Sequence, residues 1–423
     1  MIRGRDWLPS DWLARHRGIF LDGPDGTLDF GEVRRRVLER ARTLPSTIRP
    51  EATASGVVEA LAALERGRRT LLVHPKAPGR APAEPSDPGP GDEILFTTSG
   101  STGRPKRVRL SRTALDAAAK AHAARLPWKD GDRWLLSIPP AHIGGFSIIV
   151  RCLQVGATIV LPDALRTGFR AEAFRADAKR GRFSLASMVP TMLHRLAPED
   201  WPNDLRIVLL GGASARPELL QRFADRPVLG TYGLTEACAQ VATEALEQER
   251  VHPRGLGRPL PGVELRIVSG RVQIRGPTLM RGYLGRESFE SGGWFDTGDL
   301  GGLDEEGQLF VRGRSDDLIV TGGENVHPTE VEAALAGLEG VDALCVFGLP
   351  DPEWGQCVGA VFVGDVSPER VEADARMRLP DFRRPTRWCR VDALPTGPTG
   401  KTERRAARAL FERGRLDAPK DRS

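Results

Sequence analysis

The stretch RWLLSIPPAHIGGFSIIVRCLQVGATIVLP, Arg133–Pro162, packs a strand, a helix and a second strand into 30 residues. RWLLSIPP and ATIVLP are short apolar runs of strand length, and GFSIIVRCLQVG between them reads as a helix. Strand, helix, strand in so short a span implies a parallel βαβ unit, whose functional loops sit at the carboxyl ends of its strands.

The same alternation extends in both directions. Before it, DEILFTT reads as a strand ending in a glycine-rich loop, and SRTALDAAAKAHAARL as a helix opened by a Ser/Thr cap. After it come helix FRAEAFRADAKR, strands FSLASMVP and LRIVLLGGA, helix RPELLQRFAD and strand PVLGTYGLTE. From about Gly255 the texture turns to strands: VELRIVSGRVQIRGP reads as a hairpin around Ser269-Gly270, and GQLFVRGRSDDLIVTGG adds more. A smaller α+β pattern follows, in HPTEVEAALAGL, VDALCVFGLP, QCVGAVFVG and SPERVEADARMRL. The expected class is α/β. A large body of parallel-sheet α/β subdomains with a β-rich subdomain spans residues 1–315, and a small α+β domain spans 316–423. PKAPGRAPAEPSDPGPGD, Pro75–Asp92, reads as a connector behind a short N-terminal region.

Composition narrows the function classes. A net charge of +5 on 423 residues, with no basic helix and no Cys/His module, argues against a nucleic-acid partner. No apolar run has the length of a membrane span, and the N-terminus lacks the apolar core of a secretory signal. Cys152, Cys238, Cys345, Cys357 and Cys389 are widely spaced, which suits free thiols in a reducing cytoplasm. The oligomeric state, a homodimer included, stays open. The chain has 54 arginines and only 7 lysines, with no lysine between Lys179 and Lys401. Lysine is a compact point charge and arginine a wide planar fork, so lysines kept in glycine-bearing loops invite a chemical reading.

One such loop is FTTSGSTGRPKRVRLS, Phe96–Ser111, with Thr97, Thr98, Ser99, Gly100, Ser101, Thr102, Gly103 and Lys106. Hydroxyls, glycine-freed amides and an ammonium favour phosphate oxygens. It is not a Walker A loop: Lys106 follows Pro105, and Arg107 stands where Ser or Thr should be. Four further stretches carry chemistry. GTYGLTEACAQ places Thr235 and Glu236 past a strand, where a carboxylate near phosphates meets magnesium. GWFDTGDLG sets Asp299 on a glycine-flanked turn suited to ribose hydroxyls. VRGRSDDLIVTGGENVHPTEVE carries Arg314, Asp316, Asp317, Gly322 and Gly323, and LPTGPTGKTERR carries Lys401.

In this order and spacing the five stretches resemble the adenylate-forming superfamily of acyl-CoA synthetases, adenylation domains and luciferases, over roughly Asp92 to Arg405. The resemblance implies ATP, Mg2+ and CoA as reactants, and a two-step reaction. A carboxylate attacks the α-phosphate to give an acyl-adenylate and pyrophosphate, and a thiol then displaces AMP. It implies that Thr97–Gly103 and Lys106 attend the β- and γ-phosphates on a mobile loop. Glu236 holds the metal beside Thr235, and Lys401 bridges the carboxylate and the α-phosphate. Adenine would lie between Gly212-Ala213 and Thr231-Tyr232-Gly233, with Asp299 and Arg314 on the ribose. Tyr232 either offers an aromatic face or packs in the core. The C-terminal domain would be mobile, swinging about a hinge at Asp316 to exchange Lys401 for Gly322 and Gly323 along the pantetheine arm.

For the acid, SIPPAHIGGFSIIVRCLQVG is similar to the o-succinylbenzoate–CoA ligases of menaquinone synthesis, with His142 and, nine residues on, Arg151. The resemblance adds Gly144 and Ser147 to the substrate pocket, with Gly144 standing where many of those ligases have serine. It makes Arg151 the partner of the acid's second carboxylate, since a guanidinium matches a carboxylate in bidentate fashion. Arg151 could also face solvent or pair with a structural acid, and His142 could serve as a wall or gate of the site. A ligase for another aromatic or short-chain acid, and an adenylation enzyme loading a carrier protein, remain alternatives.

Overall fold

A computed structural model of the chain describes residues 8–75, 92–98, 106–213, 215, 217–246, 255–397 and 402–416. The Arg133–Pro162 unit lies at the heart of a nine-stranded sheet. Strands Val228–Leu234, Ile207–Leu210, Leu185–Met188, Arg133–Leu135, Thr158–Val160 and Ile19–Gly23 run side by side and parallel. Antiparallel strands flank them, Ala239–Thr243 on one side and Gly26–Asp29 on the other. The N-terminal region is thus integral: Ile19–Gly23 continues the sheet beyond Thr158–Val160, and helices Phe30–Thr43 and Ala54–Glu65 follow it, capped by Asp29 and Thr53.

A second sheet orders Gly282–Tyr283, Lys106–Ser111, Glu93–Thr98, Thr70–Leu72 and Thr47–Ile48. It corrects one expectation. The glycine-rich loop does not lead straight into the Ser111-capped helix, because Lys106–Ser111 is itself a strand, antiparallel to Glu93–Thr98 in the register Thr98↔Lys106 to Glu93↔Ser111. Val108 and Leu110 are buried while Arg107 and Arg109 alternate with them, the period of two that a half-buried strand requires. Beneath this hairpin Glu93 is buried among Arg69 at 2.6 Å, Arg109 at 3.0 Å and Arg281 at 3.4 Å. Burial alone would raise the Glu93 carboxyl, but Arg109 and Arg69 outweigh it and hold it below the usual range.

Strands Glu264–Val268, Arg271–Arg275, Phe295–Leu303 and Leu309–Arg314 form the β-rich part, an antiparallel meander. Its first turn is Ser269-Gly270, both at positive φ, as a tight two-residue hairpin requires. A short turn, Ser315–Asp317, then leads into a separate sheet of Glu324–Val326, Ile319–Thr321, Gly355–Gly364, Val341–Asp351 and Arg387–Arg390. Helices Pro328–Ala334, Pro368–Arg378 and Arg404–Leu416 accompany it. The apolar clusters on this side draw on residues from Ile319 onward, and those of the larger part on residues up to Val311. All five cysteines are free thiols. Among the described residues no helix is long and apolar enough to cross a membrane.

Candidate active site

The carboxyl end of Val228–Leu234 and the turn after it present several of the expected side chains. Tyr232 lies on Val228–Leu234, and its hydroxyl donates to Asp299 Oδ2 at 2.6 Å. Arg314 Nη1 donates to Asp299 Oδ1 at 3.1 Å and to the Thr297 carbonyl at 3.0 Å. The Tyr232 ring is 7% exposed and packs in a cluster with Val241, Ala242 and Leu260. Of the two roles open to it in the sequence, the packing role is the one on view, and it also fixes Asp299. Burial, and then the Asp299 charge, pushes the phenol well above its ordinary value, so it stays a donor. Thr231 Oγ1 donates to the Leu210 carbonyl, and Gly212 and Ala213 are exposed just past that strand. Gly233 allows the backbones of neighbouring strands to close up: a Cβ there would lie 1.8 Å from the Ala239 carbonyl oxygen.

Thr235 and Glu236 occupy a single turn, Thr235–Ala237. Glu236 Oε1 accepts a hydrogen bond from the Tyr283 hydroxyl at 2.9 Å, and its backbone carbonyl accepts from Met280 N at 2.8 Å. Lys106 Nζ lies 5.2 Å from the centre of the same Tyr283 ring, within cation–π range. Tyr283 therefore stands between the lysine of the phosphate hairpin and the carboxylate expected to meet the metal. Thr97 and Thr98 end the first strand of that hairpin, whereas Ser99, Gly100, Ser101, Thr102 and Gly103 lie outside the described residues. No group of three or more His, Cys, Asp or Glu is placed to hold a metal among the described residues. A magnesium ion arriving with a triphosphate needs only one or two carboxylates from the protein, and Glu236, with one oxygen on a neutral phenol, fits that demand.

The acid-side residues share the helix Ile143–Val155, with His142 at its N-cap. Ser147 Oγ donates to the Gly144 carbonyl at 2.8 Å, a bond internal to the helix. Arg151 is 4% exposed and lies 5.7 Å over the Trp134 ring. It has neither a hydrogen bond nor an ion pair among the described residues, so it neither faces solvent nor pairs with a structural acid there. Burial drives its guanidinium down to about 9. His122 lies close by, fully buried, and both its nitrogens lack partners among the described residues. Burial, and then the Arg151 charge, pushes His122 well below its ordinary value.

His142 stacks on His74 with ring centres 4.8 Å apart, and its Nε2 is buried without a partner among the described residues. Burial, then the His74 charge, lowers it from 6.5 to about 4. The unfolded chain therefore takes up this proton first as the pH falls. The neutral imidazole's contribution is complete above about pH 6.5 and is lost progressively toward about pH 4. Urea unfolding of the wild type and His142→Asn at about pH 7.5 and about pH 5 is the check. The wild type should lose about 2 kcal/mol more than the variant over that interval. Equal losses would mean that His142 titrates freely.

On the C-terminal side, Asp316 is exposed in the Ser315–Asp317 turn, and Gly322 and Gly323 both adopt positive φ. A Cβ on Gly322 would lie 2.6 Å from the Trp354 ring. Lys401 lies outside the described residues. Three residues on, Arg404 donates to Glu332, to the Val346 carbonyl at 2.6 Å and to Asp317 at 3.4 Å. Tyr283, His74, His122 and Arg404 were not singled out from the sequence. Tyr283 alone left a trace there, as one of just two tyrosines, each of which proves bonded to a motif carboxylate.

The profile of the AMP-binding enzyme family matches residues 32–284, and that of the AMP-binding enzyme C-terminal domain matches 330–401. A 2-succinylbenzoate–CoA ligase of Bacillus licheniformis is 36% identical over 331 residues, 73% of this chain and 68% of that protein. The o-succinylbenzoate CoA synthetase of Bacillus subtilis, in complex with the acyl-adenylate intermediate OSB-AMP, superposes with a TM-score of 0.83 at 27% identity, covering 93% of this chain and 97% of that one. The same synthetase with ATP and a magnesium ion gives 0.82 at 27% identity, covering 94% and 99%. Fold, site order and sequence agree: the chain belongs to the family of AMP-binding enzymes.

Proposed function

We propose that the chain is an ATP-dependent o-succinylbenzoate–CoA ligase of menaquinone biosynthesis. It joins the succinyl carboxylate to AMP with release of pyrophosphate, then passes the acyl group to the CoA thiol with release of AMP. The names of its relatives support this reading, and so does the acyl-adenylate held by its structural neighbour. The observation that carries the choice of acid is Arg151, a buried guanidinium with no counter-charge among the described residues. Burying a lone cation is expensive, so the site is built for an anion that arrives with the substrate. The second, unreacting carboxylate of o-succinylbenzoate supplies it. A monocarboxylic acid would leave the guanidinium unpaired.

Each residue's part follows from charge. Carboxylate and triphosphate repel each other, so cations must stand where negative charge develops. Glu236 and Thr235 would hold the magnesium that shields the phosphate oxygens. Lys106 and the hydroxyls of its hairpin take the β- and γ-phosphates. Asp299, held by Tyr232 and Arg314, receives the ribose beside Gly212, Ala213, Thr231 and Gly233. Lys401 orients the attacking carboxylate. Residues 1–315 form the adenylating body and residues 316–423 a small domain that turns about Asp316, bringing Gly322 and Gly323 to the thiol arm. Free thiols and the use of ATP and CoA support a cytoplasmic enzyme.

The test is a panel. Protein, ATP, magnesium and CoA are incubated with o-succinylbenzoate, benzoate, succinate and short-chain acids, and thioesters are identified by mass. o-Succinylbenzoyl-CoA should dominate. A thioester formed only from monocarboxylic acids would refute the substrate, and adenylation without transfer to free CoA would favour a carrier-protein acceptor.

A further inference from the structure

The segment Met280–Leu284 splints two parts of the site. Met280 N donates to the Glu236 carbonyl at 2.8 Å, Arg281 N to the Arg109 carbonyl at 2.9 Å, and Leu284 N to the Arg107 carbonyl at 2.8 Å. Gly282 and Tyr283 pair with Arg109 and Val108 of the phosphate hairpin. Arg281 is itself clamped by Asp92, at 2.5 and 2.8 Å, and by Glu93 beneath the hairpin. The backbone that carries Tyr283 is therefore fixed to both the hairpin and the Glu236 turn.

We propose that Tyr283 is a positioning residue for adenylation, holding the Glu236 carboxylate for the metal with its hydroxyl and seating Lys106 on its ring. This rests on the assignment of Glu236 as the metal-holding carboxylate. The observations are the 2.9 Å bond to Glu236 Oε1 and the 5.2 Å approach of Lys106 Nζ to the ring. The chemistry explains why a tyrosine stands here in so arginine-rich a chain. An arginine or lysine bonded to Glu236 would cancel its charge and repel a divalent cation. A phenol orients the carboxylate through one neutral donor and leaves Oε2 available. An ordinary phenol keeps its proton throughout the working pH range, so the hydroxyl remains a donor.

The experiment uses the full-length protein with Tyr283→Phe, Tyr283→Leu and Glu236→Gln. Mn2+ binding is measured from the EPR signal of free Mn2+, with a non-hydrolysable ATP analogue present. Binding of the metal-free analogue is measured separately by calorimetry, and folding by the thermal midpoint. Tyr283→Phe should weaken Mn2+ binding about 3- to 10-fold, the worth of one hydrogen bond. Its metal-free analogue binding and midpoint should match the wild type, because the ring and its packing remain. Tyr283→Leu should show the same loss of metal and also bind the analogue about 3-fold more weakly, as Lys106 loses its platform. Wild-type Mn2+ affinity in Tyr283→Phe, with a loss in Glu236→Gln, overturns the role of Tyr283 and leaves Glu236 in place. Wild-type affinity in Glu236→Gln overturns the metal assignment, and the role of Tyr283 with it.

Discussion

Lys401→Ala is expected to cut acid-dependent ATP–pyrophosphate exchange at least about a hundredfold, while thioester formation from supplied acyl-adenylate largely survives. The asymmetry follows from where charge builds up. Adenylation brings a carboxylate onto a polyanion and develops charge on departing pyrophosphate. One preorganised cation is commonly worth about 3–4 kcal/mol to such a step. Thiol attack on the mixed anhydride needs no such bridge. A lysine suits the task because a compact ammonium can meet the carboxylate and the α-phosphate at once. The nearest lysine before it in the chain is Lys179, so no neighbour in sequence can stand in. Equal loss in the two half-reactions would remove Lys401 from the bridging role.

Arg151→Leu should raise the KM for o-succinylbenzoate about a hundredfold and leave the KM for ATP unmoved. Truncating one partner of a buried, hydrogen-bonded charge pair costs about 2–5 kcal/mol, and the lower half of that range already gives this factor. A second signature separates a binding role from a structural one. In the free enzyme Arg151 is a buried cation held down to about 9, over Trp134 and beside His122. Exchanging it for an apolar side chain relieves that burden, so the variant's thermal midpoint should rise by about 2 °C. A structural arginine would give the reverse pattern, with a lower midpoint and an unchanged KM.

The parallel core was legible because its cause is local. Arg133–Pro162 carries strand and helix patterns in the sequence itself, the Ser111 cap precedes its helix as read, and Ser269-Gly270 turns its hairpin as read. The motif residues were named from the order and spacing of five stretches that resemble a known superfamily; composition marked out only the glycines, hydroxyls and rare lysines among them. Partnerships were not. Tyr232 meets Asp299 across 67 residues and Tyr283 meets Glu236 across 47. Such pairs depend on strand order, which no window of sequence contains. Lys106–Ser111 escaped because a six-residue strand with arginines on one face looks like the polar loop it follows. Arg151 was located, but only the folded structure reveals that it is buried without a hydrogen-bond or ion-pair partner among the described residues.

The antiparallel course of Glu93–Thr98 and Lys106–Ser111 bears on product escape. In nucleotide sites where a glycine loop opens directly into a helix, the triphosphate rests against that helix's positive end. Here the helix starts at Arg112, a whole strand of about 20 Å beyond Lys106, and such a field fades within one helical turn. On the proposed reading, pyrophosphate is then held by Lys106 and by the magnesium expected at Glu236 rather than by the end of that helix. Once the bond to AMP breaks, the dipole of the Arg112–Arg125 helix would then not detain the leaving anion, and its release would follow the loosening of those contacts.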